Sequence, residues 1–390
     1  MDDLGLSAAQ IDAAGARWTA GEVLQQPQIW AEIAGLIEGQ SQRLAQFLNP
    51  LLARPDVRVV LTGAGTSAYI GECLAPALAR ALGRRVDAVP TTDLVASPDS
   101  YLSRGTPTLL VSFGRSGSSP ESVAAFEIAD GLLEHCSHLI FTCDGDGALF
   151  RRGATASHAY VVRLPEACND RSFAMTSSFT GMLLAAALAL RALPPAPGRS
   201  SMLAALAAQV LPGTLSLLQN LVSGGFERAV YLGAKEFKGL AREAALKMLE
   251  LTDGKVVAVA DSPLGFRHGP KTILNAATLV VVFVGNDPYA RQYDVDLIRE
   301  LRRDAVAGRV IAIAAADGLP AHADNLLLES SRARGAAADL ELCLPYAMFA
   351  QSLALLRSIS LGIRPDNPNA AGTVSRVVKG VSIHCWQRGA

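Results

Sequence analysis

The sequence Val-Val-Leu-Thr-Gly-Ala-Gly at residues 59–65 joins an apolar run to a glycine-rich turn, which is typical of a buried strand leading into a helix. The pattern returns as Val-Tyr-Leu-Gly-Ala at residues 230–234, so that Gly233 follows Gly63 by 170 residues. Two more pairs of apolar runs match at nearly the same offset: 107–113 with 277–283, and 139–142 with 310–313. Three runs in common register predict an internal repeat of two α/β domains of one kind.

Length and composition agree with two domains and with a small-molecule partner. The chain has 390 residues, of which 50% are apolar, and a formal net charge of −1. A single core stops growing near roughly 250–300 residues, which favours two cores. The balanced charge gives no electrostatic support for binding to nucleic acid or to a membrane surface.

The cysteines and the amino terminus predict a cytoplasmic protein. Six cysteines are scattered without C-x-x-C spacing, which favours buried thiols of a reducing compartment over a disulfide frame or a zinc site. No basic segment followed by an apolar run opens the sequence, so we expect no signal peptide. The histidines show no ligand-like spacing, and the sequence therefore predicts no metal site.

The alternation of apolar runs, turns and Ala/Leu-rich segments predicts parallel strands joined by helical crossovers. Each half is expected to be a parallel sheet flanked by helices, a flavodoxin-like three-layer sandwich. A capping box at Thr19 and Glu22 is expected to open a helix of the lead-in. The predicted segments are a helical lead-in (1–53), a first α/β domain (54–193), a linker with helix (194–227), a second α/β domain (228–364) and a tail that covers the site (365–390).

Ligands of open α/β sheets lie at the carboxyl ends of the strands, where helix amino termini offer free N–H groups. Two loops after strands carry hydroxyls, and both are candidates for binding a phosphate monoester. Their residues are Gly65, Thr66 and Ser67 in the first loop, and Arg115, Ser116, Ser118 and Ser119 in the second.

Two other interpretations of these loops stay open. The first loop, 63–68, fits G-x-G-x-x-A with Asp87 about twenty residues on, which is typical of a dinucleotide site. The serines could also be no more than helix caps. We favour the phosphate because two hydroxyl-bearing helix starts suit a compact phosphate better than a dinucleotide.

The same loops resemble those of the sugar isomerase (SIS) domain, in which G-x-[GS]-[TS]-S and S-x-S-G-x-[ST] loops hold the phosphate of a sugar phosphate. Glu-Ala-Ala-Leu-Lys-Met-Leu-Glu at 243–250 and His-Gly-Pro at 268–270 resemble the isomerase half of glucosamine-6-phosphate synthase, as does the tail at 366–368 and 378–383. The resemblance implies two tandem SIS domains from about residue 50. Residues 169–180 are most similar to the galactosamine-6-phosphate deaminase/isomerase branch, once described as a tagatose-6-phosphate ketose/aldose isomerase.

This branch implies conversion of galactosamine 6-phosphate to tagatose 6-phosphate and ammonia, by ring opening, proton transfer between C2 and C1, and imine hydrolysis, without a cofactor. Gly114, Arg115 and Met175 depart from the synthase pattern, so the configuration at C4 of the sugar stays open. Glucosamine-6-phosphate deaminase and ketose/aldose-phosphate isomerase are alternatives, and a non-catalytic regulator that binds a sugar phosphate is an alternative of another class. The enzyme is favoured because the expected catalytic residues are present.

Glu243 and Glu250 are seven residues apart, which places them near one face of a helix. We expect Glu250 to be the base between C2 and C1, with Glu243 orienting the substrate or a partner. Two solvated acids, with Glu243 paired to Lys247, are the alternative. The rigid turn and the imidazole favour His268 as the acid/base of ring opening.

The resemblance implies the remaining roles. In the synthase the matching histidine comes from the neighbouring subunit, which implies a homodimer with His268 donated across the interface. Lys379 matches a lysine that forms a Schiff base with the open sugar, and here it either does so or stabilises charge near C2. Thr176 and Ser177 are expected to bind the substrate.

Overall fold

The structure is a computed structural model that describes residues 4–211, 213–315, 317–328, 338–378 and 380–386. The strands are β1 (Arg58–Thr62), β2 (Val86–Ala88), β3 (Thr108–Gly114), β4 (Cys136–Thr142), β5 (Ala159–Arg163), β6 (Arg228–Gly233), β7 (Val257–Asp261), β8 (Thr278–Phe283), β9 (Arg309–Ala314) and β10 (Asn325–Leu327).

Helices precede, separate and follow these strands. They are α1 (Ala8–Ala13), α2 (Arg17–Leu24), α3 (Gln26–Gly39), α4 (Ser41–Leu52), α5 (Thr66–Leu82), α6 (Thr91–Ala96), α7 (Pro98–Tyr101), α8 (Pro120–Leu132), α9 (Ala148–Thr155), α10 (Ser177–Ala189), α11 (Arg199–Val210), α12 (Leu215–Gly224), α13 (Glu236–Leu251), α14 (Pro263–Phe266), α15 (Ala290–Asp304) and α16 (Asp339–Ser360). Short 3-10 turns cover Glu166–Cys168 and Pro270–Ile273.

The strands form two parallel five-stranded sheets, ordered β2-β1-β3-β4-β5 and β10-β9-β8-β6-β7. Starting from β7, the second sheet has the same order as the first. The apolar runs in common register are β1 with β6, β3 with β8 and β4 with β9, and each pair occupies the same place in its sheet. The predicted fold class, two α/β domains with flavodoxin-like parallel sheets, is confirmed.

The chain packs as two compact units. The first-sheet unit consists of Glu32–Asn169, Ser177–Pro195 and Ala371–Ala390, and the second-sheet unit of the chain up to Ala31, Asp170–Thr176 and Ala196–Ala370. The predicted lead-in is helical and is shared between the units, and the tail joins the first-sheet unit from Ala371. The predicted segment boundaries stay a prediction, because these units divide the chain by packing and not by repeat.

Helix α16 is long and apolar enough to cross a membrane by length and composition, yet 89% of its most apolar stretch is buried within the protein. It packs on α13 and on α11 and α12 in the second-sheet unit. Burial of this kind identifies α16 as a core helix. The strands β6, β8 and β9 are buried almost throughout, as both faces of a parallel sheet between helices require.

Candidate active site

The two hydroxyl-bearing loops follow β1 and β3, which are neighbouring strands of the first sheet. Chain order reverses at this point, since β2 lies beyond β1 and β4 lies beyond β3. Ligands of open α/β folds bind at such a switch point, outside the carboxyl ends of the strands. The topology therefore brings the first loop (63–67) and the second loop (115–119) to one place.

The first loop is shaped by two glycines. A Cβ added to Gly63 would lie 2.6 Å from the carbonyl carbon of Ser67, so only glycine allows the first turn of α5 to approach this closely. Gly65 precedes the helix with φ 56° and ψ −127°, a conformation that glycine adopts without a steric cost. Thr66 and Ser67 are 4% and 5% exposed at the amino terminus of α5, where N–H groups favour an anion.

In the second loop, serine side chains cap the helices that follow. Ser119 Oγ accepts a hydrogen bond from the N–H of Ser122 (3.4 Å) in α8 and donates one to Ser122 Oγ (2.6 Å). Ser118 Oγ accepts from the N–H of Ala148 (3.1 Å) at the start of α9 and donates to the carbonyl of Ser116 (3.2 Å). Capping is thus the observed role of Ser118 and Ser119, and phosphate binding by this loop stays a prediction.

Arg115 connects the second loop to the tail within the first-sheet unit. Its side chain is buried, and Nη2 donates to the carbonyl of Arg376 (2.9 Å). The carbonyl of Arg115 accepts from the N–H of Cys143 (3.1 Å) at the end of β4. The Arg376 guanidinium reaches Asn169 Oδ1 (3.5 Å). The tail therefore contacts the second loop, and Lys379, the tail residue predicted to act on the sugar, lies outside the described residues.

Thr176 and Ser177 are fully buried. Asp170 accepts from the backbone N–H (2.8 Å) and hydroxyl (3.2 Å) of Thr176, which fixes the end of the segment 170–176 in the second-sheet unit. Ser177 is the first residue of α10, in the first-sheet unit. The predicted contact of Thr176 and Ser177 with substrate stays a prediction. The two hydrogen bonds show that Asp170 holds Thr176 in place.

The other end of this segment is held by Glu22, a contact that the sequence pattern did not predict. Glu22 accepts from the N–H groups of Arg171 (2.5 Å) and Ser172 (3.2 Å) and from the Ser172 hydroxyl (2.5 Å). Burial, and then the charge of Asp170, raise the pKa of Glu22 to about 7, although its hydrogen-bond donors oppose the shift.

The capping box expected at Thr19 and Glu22 is wrong. Helix α2 begins at Arg17, the Thr19 hydroxyl donates to Asp366 (2.7 Å), and Glu22 contacts the 170–176 segment instead. The sequence signal at these two positions was the capping pattern. In the structure, however, both side chains bind distant residues and not the backbone of α2.

The acidic residues predicted to be catalytic lie on α13, with a lysine between them. Lys247 is 1% exposed, and its ammonium group contacts Glu250 and lies 3.5 Å from Glu243 Oε1. The side chain of Glu243 is 2% exposed and that of Glu250 is 24% exposed. The prediction of one helix face is confirmed. The alternative of two solvated acids does not fit the burial of Glu243, although the Glu243–Lys247 pair that it included is observed. Lys247 is a further candidate that sequence analysis did not single out.

The third predicted catalytic residue, His268, is exposed in the turn after α14. The backbone N–H of His268 donates to the carbonyl of Gly265 (2.9 Å), and Gly269 follows with φ 120°, a conformation that favours glycine. The turn is therefore well defined, and the imidazole is open to solvent or to a partner.

The switch point of the second sheet, between β6 and β8, is occupied differently. The Lys235 ammonium lies 3.3 Å from Asp287 Oδ2 and 3.4 Å from Asp339 Oδ2. Asp294, near the start of α15, is 1% exposed, and burial raises its pKa to about 7. The second half thus carries ion pairs where the first half carries hydroxyls.

Hydroxyl-bearing loops at a switch point of a parallel sheet and a carboxylate held by a buried lysine are features expected of an α/β enzyme. The SIS domain family matches residues 51–192. The D-galactosamine-6-phosphate deaminase AgaS of Escherichia coli is 47% identical, over 96% of this chain and 97% of that protein. The deaminase of the same name from Shewanella sp. (strain ANA-3) is 43% identical, over 98% of this chain and 95% of that protein.

A solved structure agrees with these relatives. Tagatose-6-phosphate ketose/aldose isomerase from Escherichia coli superposes with a TM-score of 0.84 at 43% identity, covering 95% of this chain and 97% of that one. The chain belongs to the AgaS family of galactosamine-6-phosphate deaminases within the SIS domain proteins, and it is an enzyme.

Proposed function

We propose that this enzyme converts galactosamine 6-phosphate and water to tagatose 6-phosphate and ammonia. The observation that carries the proposal is the Glu243–Lys247–Glu250 arrangement on α13, in which a partly exposed carboxylate is held by a buried ammonium group. Such a carboxylate can take a proton from carbon and return it nearby. The relatives known as D-galactosamine-6-phosphate deaminases supply the substrate class.

The reaction begins when the pyranose ring opens. His268 moves the proton from O1 to the ring oxygen, and the open aldehyde form then acidifies the hydrogen on C2. The hydroxyl loops 63–67 and 115–119 bind the phosphate through N–H and O–H donors, with the amino termini of α5 and α8 adding favourable dipoles. Thr176 and Ser177 contribute to substrate binding.

Glu250 removes the C2 proton and delivers a proton to C1, which leaves an imine at C2. Water adds to this imine, and ammonia departs as the C2 carbonyl of the ketose forms. Glu243 acts through Lys247, because its own carboxylate is buried. Lys379 either stabilises charge near C2 or forms a Schiff base; the first role is simpler here, because the substrate brings its own nitrogen.

We further propose a cytoplasmic homodimer in which His268 is donated to the partner's site. The exposure of His268 in its own chain supports this arrangement. The enzyme would then be a hydrolase acting on a C–N bond without a cofactor.

The test is ammonia release from galactosamine 6-phosphate and from glucosamine 6-phosphate, measured side by side with purified protein and no added cofactor. Rapid release with a preference for the galacto epimer is expected. A preference for glucosamine 6-phosphate would identify this C4 epimer as the substrate instead. Ketose formation from aldose phosphates without ammonia release would favour a ketose/aldose isomerase, and binding without turnover would favour a regulator.

A further inference from the structure

Four potential metal ligands meet at the amino edge of the first sheet, away from the hydroxyl loops at its carboxyl edge. Asp130 lies near the end of α8, and Cys136 and His138 lie on one face of β4 because they are two residues apart. His158 precedes β5, and its carbonyl accepts from the N–H of His138 (2.9 Å). We call these four residues the amino-edge cluster.

The donor atoms of the amino-edge cluster converge on Asp130. Its Oδ1 lies 2.9 Å from His138 Nε2 and 3.1 Å from His158 Nε2. Cys136 Sγ lies 3.3 Å from His138 Nε2, and the donor atoms of Asp130, Cys136 and His138 all lie within 4.8 Å of one another. Zinc bonds of about 2.0–2.3 Å place tetrahedral ligands about 3.3–3.8 Å apart. The contacts of His138 with Asp130 and with Cys136 are close to this spacing. His158 lies outside the group of three, and its partly exposed side chain would turn inward to become the fourth ligand.

Burial differs across the amino-edge cluster in a way that suits a metal site with an entry path. His138 is fully buried and stacks on Phe126 with ring centroids 3.9 Å apart. The side chains of Asp130 and His158 are 33% and 42% exposed. His138 is therefore held in place by its packing, while Asp130 and His158 are open to an ion arriving from solvent.

We propose that Asp130, Cys136, His138 and His158 bind one zinc ion. Two imidazoles, one thiolate and one carboxylate form a donor set that zinc accepts, and four protein ligands leave no open position for substrate. The ion would fasten α8 to β4 and β5, a structural role separate from the deaminase reaction. The spacing of these residues along the chain did not predict a metal site, because the packing of α8, β4 and the start of β5 brings them together.

The test uses full-length protein treated with a chelator and then titrated with Co²⁺ alone. We expect one equivalent to bind with visible bands of tetrahedral cobalt and a near-ultraviolet thiolate-to-cobalt band, both abolished by one equivalent of Zn²⁺. Cys136→Ser should lose the thiolate band. His158→Ala changes an exposed side chain, so the fold should persist while affinity falls by more than the ~10–100-fold that loss of an outer-shell partner costs.

His384 and Cys385 are adjacent in the tail, and Cys385 is exposed, so this pair provides the matched control. The double variant His384→Ala Cys385→Ser should keep both bands and the stoichiometry of one. Absence of the bands in the unmodified protein, their persistence in a folded Cys136→Ser protein, or their loss in the double variant would each overturn the proposal. Zinc should also raise the melting temperature of the unmodified protein but not that of Cys136→Ser.

Discussion

Lys235 adopts the backbone conformation of Gly65. The lysine has φ 55° and ψ −121°, the glycine φ 56° and ψ −127°, and each precedes the helix that follows the first strand of its half. For a residue with a Cβ this conformation costs about 1–3 kcal/mol. The ion pairs of Lys235 with Asp287 and Asp339 compensate for part of this cost. The loop geometry is thus common to both halves, although the phosphate chemistry is not.

The strain at Lys235 can be measured by comparing two substitutions that both remove the ion pairs. Lys235→Gly should be more stable than Lys235→Ala by about 1 kcal/mol, because only alanine keeps the Cβ. Urea unfolding followed by circular dichroism gives the difference. At exposed Arg242, within α13, the order should reverse, since glycine costs about 1 kcal/mol relative to alanine in a helix. An alanine variant as stable as the glycine variant at position 235 would contradict the strain.

Gly63→Ala should weaken substrate binding. The new Cβ would lie 2.6 Å from the backbone of Ser67, so the first turn of α5 must move away from the phosphate position. Overpacking costs about 1–3 kcal/mol, which corresponds to a rise in KM of roughly 5–150-fold if the displaced donors bind phosphate. Steady-state ammonia release provides KM. Gly35→Ala is the control, because nothing lies within 4 Å of the added Cβ; an unchanged KM in Gly63→Ala would exclude the loop from the site.

The fold could be predicted from the sequence because apolar runs at β1, β3 and β4 return in register in the second half. The hydroxyl loops could be predicted for the same reason, since glycine and hydroxyl residues follow those strands. The compact units could not be predicted, because side-chain packing decides that Asp170–Thr176 joins the second-sheet unit.

Two side chains of the candidate site were missed for physical reasons that the sequence does not reveal. A lysine on a helix between two glutamates is expected to be solvated, but Lys247 is buried. Helix α13 packs on β6, β7 and α16, and such contacts between distant segments are not visible in the local sequence pattern. Glu22 meets Ser172 across 150 residues of chain, and no local pattern encodes that contact.

Glu250→Gln should lower kcat by about 10²–10⁴ with little change in KM, because an amide cannot accept the C2 proton. Glu243→Gln should lower kcat less, since Glu243 is buried and influences the base only through Lys247. Both effects are measured by initial rates at saturating substrate. Glu227→Gln, which changes an exposed acid before β6, should have no effect. Nearly full turnover by a folded Glu250→Gln protein would remove Glu250 from the reaction.

Glu22 should make folding stability depend on pH. Its pKa is about 7 in the folded protein and about 4.5 when unfolded, so the folded state binds more protons between these values. Stability therefore falls as pH rises through this window, by at most about 3 kcal/mol. Glu22→Gln keeps a neutral group that can still accept from Arg171 and Ser172. Urea midpoints near pH 5 and near pH 8 should differ less in Glu22→Gln than in the unmodified protein. If the midpoint fell equally in both proteins, the loss of stability would belong to other titratable groups.

A shared active site predicts that two inactive variants restore each other. If His268 of one chain serves the Glu250 of its partner, mixed dimers of His268→Ala and Glu250→Gln contain one site with both residues intact. Random exchange places half of the chains in such dimers, so about a quarter of the unmodified activity should return.

The variants are mixed in equal amounts, exchanged in mild denaturant and assayed for ammonia release. The control is the double variant, with both changes in one chain, mixed with unmodified protein: in its mixed dimers each shared site lacks one of the two residues. Activity should then come from the unmodified dimers alone, which are a quarter of the total. If each chain instead uses its own His268, mixing the single variants restores nothing, whereas mixing the double variant with unmodified protein leaves half of the activity.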